Sequence, residues 1–365
     1  MSEKFNIQKV LVAPLDWGLG HATRDISLIR AFINNGYEVI IGAEGAQASL
    51  LRIEFPSVRI LPLGGYQVQY SKKRWSFYLK LLRQLPRLRR IITEEHHWLD
   101  NIIDEHQLDL VISDNRFGLY TKKIPCIFIT HQLTVKAPFV WAEKIIQKIN
   151  YQFINKFNSC WVPDTAGNNN AAGILSHPVN LPRIKVQYIG LLSRFRFQAE
   201  KKQYDYCILL SGPEPQRTLL EEKIMKEIVS VNAKILLVRG KPGSSKVLDV
   251  PANVEVTNHL PTQELQAAIL QSEYIVCRGG YTSLMELLSL QKKMILIPTP
   301  GQTEQEYLAE KLMAENYCFS VTQANFDCLK HFAAAKKFNY RLPSFPLFKE
   351  ADISDLLKSS LMDLQ

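Results

Sequence analysis

The chain has 365 residues, 46% of them hydrophobic and 22% charged, with a formal net charge of +9. That length supports two or three domains with sizeable cores, which excludes a scaffold stapled by disulfides or metal and excludes a disordered chain. No apolar run approaches the ~20 residues of a membrane span and the N-terminus lacks a secretion signal's apolar stretch, so the protein is expected in the cytoplasm.

Apolar, β-branched-rich runs alternate with amphipathic stretches of helical length. A first series of strands is predicted at 9–14, 38–42, 59–63, 108–113, 126–130, 159–162 and 186–189. A second is predicted at 206–210, 234–238, 254–256, 274–277, 294–297 and 318–321. Strands spaced by helices imply right-handed βαβ crossovers and parallel sheets. The polar stretch 191–203 reads as a linker. The expected fold is therefore α/β: two tandem Rossmann-like, doubly wound domains at 1–192 and 204–340, with the tail 341–365 packing back toward the first. Ligands of such sheets sit beyond the carboxyl ends of the strands, which makes an interdomain cleft the expected place for chemistry.

The first strand runs into Pro14-Leu-Asp-Trp-Gly-Leu-Gly-His-Ala-Thr-Arg24. Gly18 and Gly20 let backbone approach a ligand, and the helix that follows offers unpaired N–H groups. His21 is placed at the mouth of that helix, facing the cleft; a tight turn with a hydrogen-bonded histidine is the plainer alternative. Thr23 stands where a dinucleotide fingerprint needs its third glycine, so that fingerprint is not supported. Asp114 directly follows a buried strand at its carboxyl end, either as a functional carboxylate or as a turn or helix cap. His131, just after the next strand, completes a trio with them or stands behind it.

In the second half, Tyr206–Leu210 leads into Ser211 and Gly212 and a helix from about Gln216 that includes Arg217. Further on, a strand ends at Cys277, Arg278-Gly279-Gly280 turns, and a helix begins near Thr282. Two glycines before a helix N-terminus admit a phosphate to its N–H donors. Glu286, about one turn in, can accept both hydroxyls of a ribose, although Ser283-x-x-Glu286 also fits a capping box. Thr303-x-x-Glu306 offers Glu306 the same structural explanation, whereas Gln305 beside it has none.

Six cysteines form no C-x-x-C pair, and four of them lie in or beside strand-like runs, so core packing is their expected role. No histidine spacing suits a zinc site, and no metal is expected.

Two Rossmann-like halves, Gly-Leu-Gly-His at 18–21, and Arg278-Gly-Gly with Glu286 and Gln305 resemble the GT-B glycosyltransferases. The nearest resemblance is to the family 28 group, typified by transfer of N-acetylglucosamine to a lipid-linked peptidoglycan precursor. It covers the whole chain in architecture and is motif-specific over 17–24 and 277–309. The resemblance implies a nucleotide-diphospho-sugar donor, UDP-linked, and no other cofactor. It places His21 near the transferred sugar, Glu286 on the ribose and Gln305 on the donor sugar. The family's second glutamine is Glu306 here, and its glycine-richer diphosphate loop is Ser211-Gly-Pro-Glu-Pro-Gln-Arg217. Ser211, Arg217, Arg278, Gly279, Gly280 and Thr282 are expected around the diphosphate.

There is no D-x-D, the carboxylate pair that would hold a metal on the diphosphate. Metal-free, inverting transfer then needs Gly279 and Gly280 amides, Arg278 and the helix dipole for the leaving group. It also needs a base for the acceptor hydroxyl, either His21 or Asp114. Lys72 to Arg90 carries eight basic residues, no acid and interleaved aromatics, and holds nearly all the excess charge. As a helix interrupted by Pro86 it suits an anionic membrane surface, in line with a lipid-linked acceptor, or an amphipathic hairpin packed on the domain. A nucleic-acid partner is not expected, for want of any accompanying motif. A nucleotide-sugar epimerase and a catalytically silent nucleotide-sugar-binding protein on the same fold are the rival readings.

Overall fold

The computed structural model describes residues 7–66, 74–137, 139–245 and 248–362, with backbone alone for 74–85. The chain divides into two compact units, Met1–Arg194 with Phe345–Gln365, and Phe195–Ser344.

In the first unit the chain runs β1 (Lys9–Pro14), α1 (Gly20–Asn34), β2 (Glu38–Gly42), α2 (Gly45–Glu54), β3 (Arg59–Leu61) and α3 (Arg74–His106). It continues through β4 (Leu110–Asp114), β5 (Cys126–Ile129), α4 (Val140–Ile154), β6 (Ser159–Val162) and β7 (Lys185–Tyr188). The sheet is parallel, in the order β3-β2-β1-β4-β5-β6-β7. Its central strands are buried on both faces, which is why they read as unbroken apolar runs rather than alternating ones. Leu11, Val111, Phe128 and Val162 point into one core with Leu99 and Ile103 of α3. α3 continues through Pro86 instead of being interrupted there: proline forgoes one backbone bond, and a long helix absorbs that loss. The side chains expected to define a basic face between Lys72 and Arg90 lie largely outside the described residues.

The second unit follows as β8 (Tyr204–Leu209), α5 (Gln216–Glu227), β9 (Ile235–Val238), β10 (Val254–Thr257), α6 (Thr262–Leu270) and β11 (Ser272–Cys277). Then come α7 (Tyr281–Ser289), β12 (Lys293–Leu296), α8 (Thr303–Ala314), β13 (Cys318–Ser320) and α9 (Cys328–Lys337). Its parallel sheet has the order β10-β9-β8-β11-β12-β13. In both sheets the strand order thus reverses between the first and fourth strands, and the crevice at such a switch point is where doubly wound folds hold ligands. All six cysteines are buried and unpaired, as small core residues.

The last helix, α10 (Ile353–Leu361), belongs to the first unit. Leu191 N–H donates to the Pro346 carbonyl and Phe348 N–H to that of Leu191 (both 3.0 Å), and Trp161 Nε1 donates to Ser360 Oγ at 2.8 Å. Gly190 lies at φ +83°, and a Cβ there would come within 2.7 Å of the Leu347 backbone, so this crossing admits only glycine.

Candidate functional site

α1 begins at Gly20, one residue before His21, so the imidazole stands in the helix's first turn. His21 Nδ1 donates to Asp114 Oδ2 at 2.8 Å, joining a residue just beyond β1 to the last residue of the adjacent β4. Asp114 is fully buried and is a strand residue, which removes its reading as a turn or helix cap. Arg24, one turn along α1 from His21, donates Nε to Asp114 Oδ2 at 2.9 Å and Nη2 to Oδ1. Its Nη1 donates to His131 Nδ1 at 3.2 Å. The trio of His21, Asp114 and His131 is therefore real in space, with Arg24 as the hub that the sequence reading missed.

The electrostatics follow from this packing. Burial alone would raise the Asp114 carboxyl, but the Arg24 guanidinium and His21 outweigh it and hold Asp114 well below the usual carboxylate range. Burial lowers the His21 imidazole, with Arg24 acting in the same direction and Asp114 opposing it. This environment favours a neutral imidazole with Nδ1–H donated to Asp114, an arrangement that puts a lone pair on Nε2.

In the second unit, three loops meet beyond β8, β11 and β12. A Cβ on Gly279 would lie 3.3 Å from the Gln305 carbonyl oxygen, so the turn before α7 passes against the start of α8 at a distance suited to glycine. Beside it a Cβ on Gly280 would meet nothing, and α7 opens at Tyr281 with Gly280 as its N-cap. Ser211 is exposed and Gly212 lies at φ +99°, with its missing Cβ 3.7 Å from Thr299 Oγ1. Thr299, unanticipated from sequence, is buried with a hydroxyl that has no partner among the described residues.

Several expected roles need correction. Arg278 is buried, donating Nη1 to the Ile297 carbonyl at 3.0 Å and Nη2 to that of Gln216 at 2.8 Å, so its guanidinium ties loop ends together, while its Nε has no partner among the described residues. Arg217 is likewise spent within the unit: Nη2 meets Glu221 Oε2 at 3.0 Å and Nε meets Glu214 Oε1 at 2.7 Å. Glu221 also accepts from Arg239, completing a buried charge network. The capping box at Ser283 falls because α7 starts two residues earlier, so Ser283 is inside the helix; Glu286 is buried one turn in, and Thr282 lies in the first turn. Gln305 does have a structural role, accepting from Thr299 N–H at 2.9 Å. Glu306 accepts from Gly301 N–H at 3.0 Å, bracing the same loop, but the N-cap is Gln302 rather than Thr303. Gly18, at φ +75°, shapes the first loop, whose Leu15 and Gly18 carbonyls both accept from Gln47 Nε2.

Residues 216–338 match the family model "Glycosyltransferase family 28 C-terminal domain". An uncharacterised glycosyltransferase of Methanosarcina acetivorans is 24% identical over 343 residues, spanning 85% of this chain and 82% of the relative. A UDP-N-acetylglucosamine–N-acetylmuramyl-(pentapeptide) pyrophosphoryl-undecaprenol N-acetylglucosamine transferase of Clostridium tetani is 23% identical over 290 residues, spanning 76% and 75%. Among solved structures, glycosyltransferase VinC in complex with dTDP superposes at a TM-score of 0.60 with 12% identity, covering 97% of this chain and 100% of that one. The two parallel-sheet units have the fold of the GT-B glycosyltransferases, and the likenesses mark the chain as a glycosyltransferase. Within that fold it resembles family 28, whose C-terminal domain model matches most of the second unit.

Proposed function

We propose that the protein transfers a sugar from a UDP-sugar, of the UDP-N-acetylglucosamine type, to an acceptor hydroxyl with inversion and without a metal. The observation that carries this reading is the His21–Asp114 pair at the first sheet's reversal, in a chain whose second unit is a family 28 domain. His21 Nε2 takes the proton of the acceptor hydroxyl as its oxygen attacks the anomeric carbon; the bond from that carbon to the diphosphate oxygen breaks, and configuration inverts. Asp114 stabilises the imidazolium that results. UDP leaves with its negative charge at the N–H groups around Gly279, Gly280 and the first turn of α7. Ser211 and Thr282 border the diphosphate, Glu286 accepts the ribose hydroxyls, and Gln305 and Glu306 hold the loop against the donor sugar. The missing D-x-D supports the metal-free form of this mechanism.

Thermal shift tests it. UDP at about 100 times its dissociation constant should stabilise the protein by about 2.7 kcal/mol, and EDTA should leave that gain unchanged. Glu286→Gln should melt near wild type unliganded and lose ~1.5–3 kcal/mol of UDP affinity, because a charged acceptor is exchanged for a neutral amide. A shift with GDP, dTDP or CDP but not UDP would change the donor, and a shift requiring added magnesium would end the metal-free reading.

The acceptor is proposed to be lipid-linked and the protein to work peripherally on the inner face of the membrane. Support comes from α4 rather than from the basic segment named above: Trp141, Ile145 and Ile149 recur every fourth residue and are exposed, with Phe139 and Val140 at the helix start and exposed Lys144 and Lys148 beside them. An exposed apolar stripe flanked by lysines suits an anionic bilayer surface. Among the described residues no helix is long and apolar enough to cross a membrane. In sedimentation with phosphatidylcholine vesicles, binding should need added phosphatidylserine and should fall about tenfold or more in Trp141→Glu. Equal pelleting of variant and wild type would remove α4 from the membrane surface.

A further inference from the structure

The buried cluster contains a second carboxyl that the mechanism above does not use. Asp25 follows Arg24 on α1 and is fully buried. Neither of its oxygens receives a hydrogen bond from any donor among the described residues. After burial, the group that acts on it most strongly is Asp114, carboxyl against carboxyl. Two carboxylates so placed have only acceptors to offer each other, and a lone buried anion without donors is among the costliest arrangements a core can hold. A single proton resolves both problems, because a protonated carboxyl is a donor.

We propose that Asp25 is a positioning residue, held as a neutral carboxylic acid whose O–H donates to Asp114 and thereby keeps His21 neutral and correctly turned. The charge balance of the cluster requires it. Arg24 contributes one positive charge and Asp114 one negative, and these cancel through two direct hydrogen bonds. With Asp25 neutral, His21 can remain uncharged, while Arg24 keeps Nη1 for His131 Nδ1. An ionised Asp25 would add a second negative charge in the same dry space, beyond the one that Arg24 already balances, and would favour a proton on the His21 imidazole that Asp114 holds. Protonating His21 would remove the lone pair that the proposed reaction needs. The groups facing Asp25 agree in direction: burial and Asp114 favour its protonated form and only Arg24 opposes. Asp114 is therefore fed from three sides, by His21, Arg24 and Asp25, and its own charge is secured without a proton being taken from the imidazole.

This role rests on the proposed base function of His21, but the protonation state of Asp25 can be measured without any substrate. Carboxyl carbon shifts from aspartate-labelled, unliganded protein should show Asp25 as a neutral acid over the pH range in which an ordinary aspartate is ionised, with the signal assigned by its loss in Asp25→Asn. A carboxylate shift for Asp25 across that range overturns the proposal, whatever the enzyme turns out to transfer. In the same samples the imidazole of His21 should titrate at a higher pH in Asp25→Glu if the longer acid ionises, a change that loosened packing alone would not produce. For activity, release of UDP from UDP-N-acetylglucosamine is followed across pH. Asp25→Ala should lower kcat about tenfold or more with little change in donor KM, and Asp25→Asn, which keeps a neutral donor toward Asp114, should recover most of that loss. Equal defects in Ala and Asn variants would mean that the charge of Asp25 is what matters, and would overturn the neutral-acid assignment. If Asp25→Ala fails to fold, the carbon shifts of the wild type still decide. Activity unaffected by both His21→Ala and Asp25→Ala, together with a neutral Asp25, would sink the function proposed for His21 and leave the buried proton standing.

Discussion

Replacing His21 by alanine should lower turnover by ~10²–10⁴ and leave UDP affinity nearly unchanged. The expectation comes from tautomer control: Nδ1–H is held by a fully buried carboxylate at 2.8 Å, so the lone pair sits on Nε2 without rearrangement. Asp114→Asn keeps the shape but exchanges a charged acceptor for an amide that also donates, so the imidazole loses its orientation and the imidazolium its counter-charge. The double variant should be far less impaired than the product of the single losses, since both remove one device. The pH profile carries a sign. Burial lowers the His21 pKa below its ordinary value near 6.5, so the active neutral form persists into mildly acid solution and kcat/KM falls only as pH drops below that value. Stability moves the same way: below about pH 6.5 the unfolded imidazole takes a proton that the folded one refuses, so His21 costs stability as pH falls. An acid limb above pH 7 would assign the base elsewhere, and full activity in His21→Ala would do the same.

Glu95→Ala should destabilise the first unit by about 3–5 kcal/mol, without touching any residue of the proposed site. Glu95 on α3 accepts from Arg116 Nη1 at 2.8 Å, Tyr66 Oη at 2.7 Å and Gly118 N–H at 3.0 Å, and both members of the ion pair are at most 2% exposed. Arg116 also donates to the carbonyls of Pro14 and Gly64, so one guanidinium gathers the ends of β1 and β4 and the segment after β3. Removing the carboxylate strands that charge in a dry core, which costs more than any surface ion pair. Calorimetry should show one transition, that of the unit containing α3, lowered by roughly 10 °C. Glu95→Gln, which preserves two of the three acceptor contacts, should fall in between. A loss under about 1 kcal/mol for Glu95→Ala would mean that water reaches Arg116.

The strands were legible because burial on both faces leaves a continuous apolar signature, and their predicted limits lie within about two residues of the observed ones. Strand order was not legible in the same way; it depends on which crossovers return beside β1 and β8. His21 and Asp114 could be read singly, as polar residues at strand ends, but not as a bonded pair 93 positions apart. Arg24 and Asp25 left a usable sign that was passed over: they stand three and four residues after His21, the spacing that puts side chains on one helical face. Arg217 and Arg278 show a different limit. An arginine beside a glycine turn looks the same in sequence whether its donors await a phosphate or already hold carbonyl oxygens, and only the buried contacts tell the two apart.

The return of 345–365 to the first unit means that the polypeptide passes between the units twice, once near 194 and again near 344. A protease that nicks the exposed stretch around 198–202 therefore leaves the second unit covalently attached to 345–365, and the two fragments stay together only as long as that returning segment remains packed on the first unit. The first unit cannot be obtained by stopping the chain at 194. That truncation would strip α10 from Trp161 and leave the indole N–H, buried in the intact chain, without its serine. A stand-alone first unit has to splice residue 194 directly to 345, whereas the second can be cut out as one uninterrupted piece.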